Sequence, residues 1–337
     1  MVRSGGLSFI ASDGAQLLRD GRPWRFVLAN AYYLADEVGQ GHPEHAAEAL
    51  DAAVALGLPV VRTWAFNDAP WKASRMQEDL GAPYEPGLRA LDWVVAEAGR
   101  RGLRLILPLA DYWPSYGGIA QWLAWRGAPV ADADRAHPER YAARFFADTQ
   151  LRDAYAERVR QLATRRNTLT GVRYGEDATI LAWELMNEPR AAPDDWIAFA
   201  AGVVRSHCAQ LVGLGDEAAR DSADVDLASL HFYPEKHGRA PGDEERFGCA
   251  AIEEAARGVT RPLLVGEFGL RHGGLPLAAR RRAYAAWFAA AADSGVAGMG
   301  PWLLGYRSRP RDWDEGFMFY AGGEYDATLH DAVALFS

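Results

Sequence analysis

Two short stretches carry carboxylates where chemistry could use them. Trp183-Glu184-Leu185-Met186-Asn187-Glu188-Pro189 reads as a strand ending in Asn-Glu-Pro, where proline cannot continue a sheet ladder and leaves the Glu188 carboxylate at the strand's rim. Leu264-Val265-Gly266-Glu267-Phe268-Gly269 sets a second glutamate at the end of another apolar strand. One such glutamate alone is ordinarily a surface carboxylate or an ion-pair partner. Two facing across one barrel mouth are what glycosidic cleavage requires: one protonates the leaving oxygen and the other attacks the anomeric carbon. Glu188 is the candidate acid/base and Glu267 the candidate nucleophile, with a carboxyl separation of about 5 to 5.5 Å expected if the reaction retains configuration. Burial and the neighbouring nucleophile are expected to raise the pKa of Glu188. Glu184, two pleats before Glu188, points to the same side but deeper, where a charge must be paired, so it is read as structural.

Other polar residues fall at the same rim. Arg62, in Val61-Arg62-Thr63-Trp64, could grip a carboxylate bidentately and hold it ionised. His231 and Tyr233 follow one another in His231-Phe232-Tyr233-Pro234, where the histidine could orient a hydroxyl or the acid/base and the tyrosine could hydrogen-bond Glu267. Trp302 could form a stacking floor for a sugar ring.

The elements that must position these residues alternate along the chain. Eight apolar segments read as strands: Phe26–Tyr32, Val60–Trp64, Leu103–Leu109, Ile180–Met186, Leu211–Leu214, Leu227–His231, Leu263–Glu267 and Gly298–Trp302, the fifth having the weakest pattern. Between them, apolar residues recur at helical spacing over Pro43–Leu56, Leu88–Arg101, Arg140–Arg166, Asp194–Gln210, Asp243–Arg257 and Leu277–Ser294. Eight βα units close naturally into one (β/α)8 TIM barrel, expected to span residues 1–337 as a single catalytic domain. A doubly wound open sheet is the alternative, but no glycine-rich phosphate turn follows any strand. The two longest connections, Asn67–Gly87 and Asp111–Glu139, follow strands and are rich in Trp, Tyr, Pro and Gly, so they read as walls of a site.

Composition narrows the class. A chain of 337 residues with 49% hydrophobic and 24% charged residues can bury a large core. A net charge of −9 with Lys and Arg scattered along the chain excludes a nucleic-acid partner, which needs a basic stripe. The 12 Trp and 13 Tyr suit a substrate with C–H faces and hydroxyls, core filling being the alternative for any one of them. The eight histidines form no H-E-x-x-H and no Cys/His cluster, and no G-x-S-x-G occurs, so no metal, cofactor or serine nucleophile is expected. His42 and His45 flank a helix start and read as solvated. Cys208 and Cys249, the only cysteines, fall in segments that read as helical, so no disulfide framework is indicated. No apolar run reaches the roughly 18 residues of a membrane span, and the start MVRSGGLSFIASDG lacks the apolar core of a signal peptide, which favours the cytoplasm.

Assembled, these motifs resemble glycoside hydrolase family 5, and within it the endo-β-1,4-mannanases and their exo-acting relatives. Arg62-Thr63-Trp64-Ala65-Phe66-Asn67-Asp68, Tyr116-Gly117-Gly118 with Gln121-Trp122, and the run from Phe145-Phe146 through Thr170-Gly171-Val172 to Arg190 carry the likeness. With His231-x-Tyr233, Gly266-Glu267-Phe268-Gly269 and Trp302, it covers about residues 9 to 335. The resemblance implies retention through a covalent glycosyl-enzyme formed on Glu267. It implies that Asn187 bonds the sugar 2-hydroxyl, that Arg62, His231 and Tyr233 support the carboxylates, and that Trp302 underlies the reacting sugar. Trp64, Trp113 and Tyr116 would contact neighbouring sugars. The expected partner is β-mannan or a manno-oligosaccharide bound by a monomer. The sequence departs from the family in a short Leu211–Val225 stretch and in Asp111-Tyr112-Trp113, which stands where mannanases commonly carry an asparagine-rich segment. Endo and exo action both stay open. A β-glucanase with the same catalytic set, or a sugar-binding protein without turnover, are the other readings.

Overall fold

The computed structural model describes residues 6–216, 221–237, 242–308 and 316–337. All eight expected strands are present, each within a few residues of its sequence span: β1 (Phe26–Asn30), β2 (Val60–Arg62), β3 (Arg104–Pro108), β4 (Ile180–Glu184), β5 (Leu211–Gly213), β6 (Ala228–Phe232), β7 (Leu263–Phe268) and β8 (Gly298–Pro301). They form one parallel sheet in the order β5-β4-β3-β2-β1-β8-β7-β6. A bridge from Gly213 to Leu227, just before β6, closes it into a barrel. That seam sits on the segment with the weakest strand pattern, where three residues of β5 offer little ladder to share.

The two-residue period of a strand sorts side chains between two environments. Phe26, Leu28, Val60, Ile106, Ala182, Leu211 and Leu264 share one apolar cluster inside the barrel, with Ile10 and Leu17 beneath them. Their neighbours Val27, Ala29, Val61, Leu105, Leu107 and Val265 pack outward against the helices in a second, larger cluster. One step further along the inner register the residues turn polar: Asn30 on β1, Arg62 on β2 and Glu184 on β4. The barrel is therefore oily in its lower layers and charged at its C-terminal end.

Three short antiparallel strands, Ala11–Asp13, Gln16–Arg19 and Arg22–Trp24, precede β1 and lie under the barrel. Arg104 fastens them, donating from Nη1 to the carbonyls of Ser8 (2.7 Å) and Ala178 (2.9 Å) while lying over the Trp24 ring.

Several expectations are corrected. The helix expected over Arg140–Arg166 is two helices, Ala142–Ala147 and Thr149–Thr164. Asp148 separates them, its carboxylate capping the second by accepting from the N–H groups of Gln150 and Leu151. Cys208 lies beyond the helix Asp194–Arg205, whereas Cys249 is within Glu244–Gly258. His45 is not solvated: its side chain is 13% exposed, paired to Glu37 at 2.8 Å and stacked on Tyr306. The connection after β2 folds back on itself in a small hairpin, Gln77–Asp79 with Ala82–Pro83, and buries Asn67, Asp68, Ser74 and Gln77. It walls no part of the cavity described next, so of the two long loops only the one after β3 does.

Candidate active site

At the charged end of the barrel lies a cavity of about 620 Å³, lined by residues from the ends of β2, β3, β4, β6, β7 and β8. Glu188 is presented by the chain just after β4. Its N–H bonds the carbonyl of Gly215, and its φ of 47° is a left-handed conformation uncommon for a residue with a side chain. Asn187 is held from the opposite side by its N–H on the carbonyl of Ala110. Glu267 needs no such device, being the fifth residue of β7.

Arg62 is the hub. Fully buried, it donates from Nε to Glu184 Oε2 (2.8 Å), from Nη1 to Glu267 Oε1 (2.7 Å) and from Nη2 to Asn187 Oδ1 (2.9 Å). The expected bidentate grip on one carboxylate is thus replaced by a three-way division, because Glu184 and Asn187 sit within reach of the same planar fork. Burial works against its charge, but Glu184 and Glu267 outweigh that and raise its pKa further. Glu184 is buried and paired, as its depth requires.

The other oxygen of Glu267, Oε2, accepts from the Tyr233 hydroxyl at 2.6 Å. Glu188 faces a different set. Its Oε1 lies 3.2 Å from His231 Nδ1, and its Oε2 accepts from the Trp113 indole at 2.6 Å. His231 Nδ1 is also 3.6 Å from Glu267 Oε1, so one imidazole stands between both carboxylates. Gly266 makes room for that ring: a Cβ there would come within 2.7 Å of His231 Nε2.

This sandwich decides where the proton rests. Burial pushes the His231 imidazolium down, but the charge of Glu267 and the hydrogen bond to Glu188 more than restore it, and its pKa rises to about 8. Burial likewise pushes Glu188 up. The hydrogen bond and charge of His231, the charge of Lys236 and the Trp113 N–H prevail, and Glu188 falls to about 2. Against the raised pKa expected of Glu188, the pair thus favours a carboxylate at Glu188 and an imidazolium at His231, 3.2 Å apart.

A raised carboxyl does occur nearby, at Asp111. Burial lifts its pKa to about 8, against the hydrogen bonds that lower it, from Asn187 Nδ2 (3.0 Å) and the Trp113 N–H (3.1 Å). Asn187 is thereby pinned at both ends of its amide, by Arg62 on the oxygen and Asp111 on the nitrogen. The sequence marked Asp111 only as a departure, since nothing local reveals that β3 and β4 bring it against Asn187.

Among the expected sugar contacts, Trp302, Trp64 and Trp113 line the cavity. Trp302 is stacked parallel on Tyr32, with ring centroids 5.3 Å apart. Tyr116 does not line it. Its ring packs edge-on against Trp64 and Tyr32, and its hydroxyl donates to Asp36 at 2.7 Å. Sequence reading gave no role to Ser115, Arg190, Lys236, Arg271 or Phe317, which complete the lining.

Single atoms of Glu188, His231 and Glu267 lie within 4.8 Å of one another, close enough to bracket a cation. However, the carboxylate oxygens already accept from Arg62, Tyr233 and Trp113, which leaves a poor ligand set. What the arrangement suits is acid/base work paired with attack by a fixed carboxylate.

Comparison with known proteins places the chain. A model of the GH family 5 β-mannosidase-like family matches residues 7–236, and the chain belongs to that family of glycoside hydrolases. Mannan endo-1,4-β-mannosidase 2 of Arabidopsis thaliana is 32% identical over 309 residues, covering 79% of this chain and 70% of that protein. A relative from Oryza sativa subsp. japonica is 36% identical over 317 residues, 80% of this chain, and here the chain spans only 61% of the relative's length. A glycoside hydrolase family 5 mannosidase from Rhizomucor miehei superposes with a TM-score of 0.84 at 19% identity, over 99% of this chain and 98% of that one, and so shares the fold. Among the described residues no helix is long and apolar enough to cross a membrane.

Proposed function

We propose that this chain is a retaining glycoside hydrolase that cleaves β-1,4-mannosidic bonds in mannan or manno-oligosaccharides. The observation that carries this reading is the trio of Glu188, His231 and Glu267, with carboxylate and imidazole atoms within 4.8 Å of one another on the cavity floor. Retaining enzymes need carboxyl groups about 5 to 5.5 Å apart, whereas a gap of about 6.5 to 9.5 Å would admit the water that inversion uses. The name of the Arabidopsis relative supports mannosidic over glucosidic substrates.

In the first step a Glu267 oxygen attacks the anomeric carbon, the bond to the leaving oxygen breaks, and that oxygen takes a proton from Glu188. The proton comes from His231 Nδ1, which can hand it to Glu188 Oε1 across 3.2 Å once a substrate screens the carboxylate from Lys236. In the second step water gives a proton to Glu188 and attacks the same carbon, and Glu267 leaves. Asn187, fixed by Arg62 and Asp111, keeps one amide hydrogen for the sugar 2-hydroxyl.

Azide separates the two roles. Glu267→Ala with an activated aryl β-mannoside should give the α-mannosyl azide, since azide then attacks once from the vacated face. Glu188→Ala should give the β-azide, after two inversions. Exchanged anomers would reverse the assignment, and faster turnover of the aryl β-glucoside would move the substrate to glucans.

A further inference from the structure

We propose that the leaving-group side of the cavity binds an anionic aglycone, a sugar or polyol that carries a carboxylate or a phosphate. This deepens the glycosidase reading of Glu188 and Glu267 and rests on it. The chain carries a net charge of −9, yet Arg190, Lys236 and Arg271 all line this one cavity. Each stands over an aromatic face: Arg190 over Trp113 at 5.3 Å, Lys236 over Tyr233 at 4.1 Å, Arg271 over Phe317 at 4.9 Å. The rings fix the cations in place while consuming few of their N–H donors.

Among the described residues their carboxylate partners are weak or missing. Arg190 reaches Glu188 only at 3.8 Å and Arg271 reaches Glu235 at 3.5 Å, while among the described residues no carboxylate lies within 4.0 Å of Lys236. Lys72, in the loop after β2 that does not line the cavity, is by contrast paired to Asp36 at 2.7 Å. Balancing Glu188 and Glu267 does not account for all three: the charge of Lys236 acts on Glu188, but His231 and Arg62 serve the two carboxylates at shorter range. A neutral sugar would leave this charge unanswered, whereas guanidinium and ammonium groups are the donors that carboxylates and phosphates select. Glu188 serves the leaving oxygen, Arg190 and Trp113 flank it, and the charge of Lys236 acts on it, which sets these groups toward the leaving side.

Paired substrates test this. The kcat/KM for β-mannosyl-1,4-gluconate is compared with that for β-mannosyl-1,4-glucose, and the 6-phosphate of the latter supplies the phosphate arm. The cellobionate and cellobiose pair is run alongside. A charged member should lead its neutral partner by about tenfold at low ionic strength, and added salt should erode the lead. Which arm leads identifies the anion. The ratio should fall to about one in Lys236→Gln/Arg271→Gln and persist in Lys236→Arg, where the charge is kept. Equal rates on charged and neutral partners in the unaltered protein would overturn the proposal, as would a lead that survives the double substitution. Turnover of only the glucosyl pair, with its aldonate ahead, would end the mannosidic reading and leave the anionic subsite standing.

Discussion

The two sides of the cavity hold their carboxylates by different means. Glu267, on β7, accepts from a guanidinium and a phenol, Arg62 and Tyr233, neither of which changes charge at physiological pH. Glu188, beyond β4, faces an imidazole that does, together with a tryptophan N–H. The difference fits the proposed roles: fixed donors suit a group that attacks, whereas a titratable partner suits one that gains and loses a proton each turnover.

Arg62→Lys is the harshest way to break the β7 side. One ammonium cannot serve Glu184, Glu267 and Asn187 together, so kcat/KM should fall by about a thousandfold and stability by about 3 to 5 kcal/mol, as for a severed buried ion pair. Thermal unfolding and steady-state kinetics check both, and a loss below tenfold would mean that Arg62 is not the hub. Tyr233→Phe should cost less, about a hundredfold in kcat/KM and about 2 kcal/mol, because one hydrogen bond to a charged oxygen is removed. Both losses should be flat across pH 6 to 9; a loss that varies with pH would blur the contrast between the two sides.

On the other side the effect should track pH. With His231 raised from 6.5 to about 8, its stabilisation is complete below about 6.5 and lost as pH climbs through about 8. By the size of that shift the loss is about 2 kcal/mol. Unfolding measured from pH 6 to 9 should show this decline in the unaltered protein and not in His231→Asn, and a parallel decline in the variant would assign it elsewhere. The smallest change in rate is expected at Asp111, whose folded pKa of about 8 lies above its ordinary 3.8. Its folded state prefers the neutral form, so stability is lost as pH rises between those values. Relative to the unaltered protein, Asp111→Asn should gain stability from pH 4 to pH 8, by up to about 5 kcal/mol from the size of that shift. It should also keep the alkaline fall in kcat/KM near pH 8, since His231 sets that limb; disappearance of the fall would transfer it to Asp111.

Much of this was legible in the sequence, for identifiable reasons. Strand ends announce themselves, so Glu188, Glu267, Arg62, His231, Tyr233 and Trp302 could be placed at one rim before any coordinates. What stayed hidden depends on contacts between distant segments. Tyr116 turns away from the cavity because Asp36, 80 residues earlier, takes its hydroxyl. The acidity of Glu188 reverses expectation because His231, 43 residues later, inserts between the carboxylates. The break at Asp148 was readable in hindsight, since an aspartate followed by Thr-Gln-Leu is a helix start, but unbroken apolar spacing across it masked the cap.

The strands beneath the barrel give the cavity a direction. With Ile10 and Leu17 stoppering the lower end under Leu28, Val60 and Ile106, the interior is a cul-de-sac with its door on the β-strand C-terminal side. Substrate, water and product must share that door, so traffic there is sequential: a departing aglycone clears the way for the water that follows it. A tenant that lingered on the Arg190 side would delay that water and so slow the whole cycle.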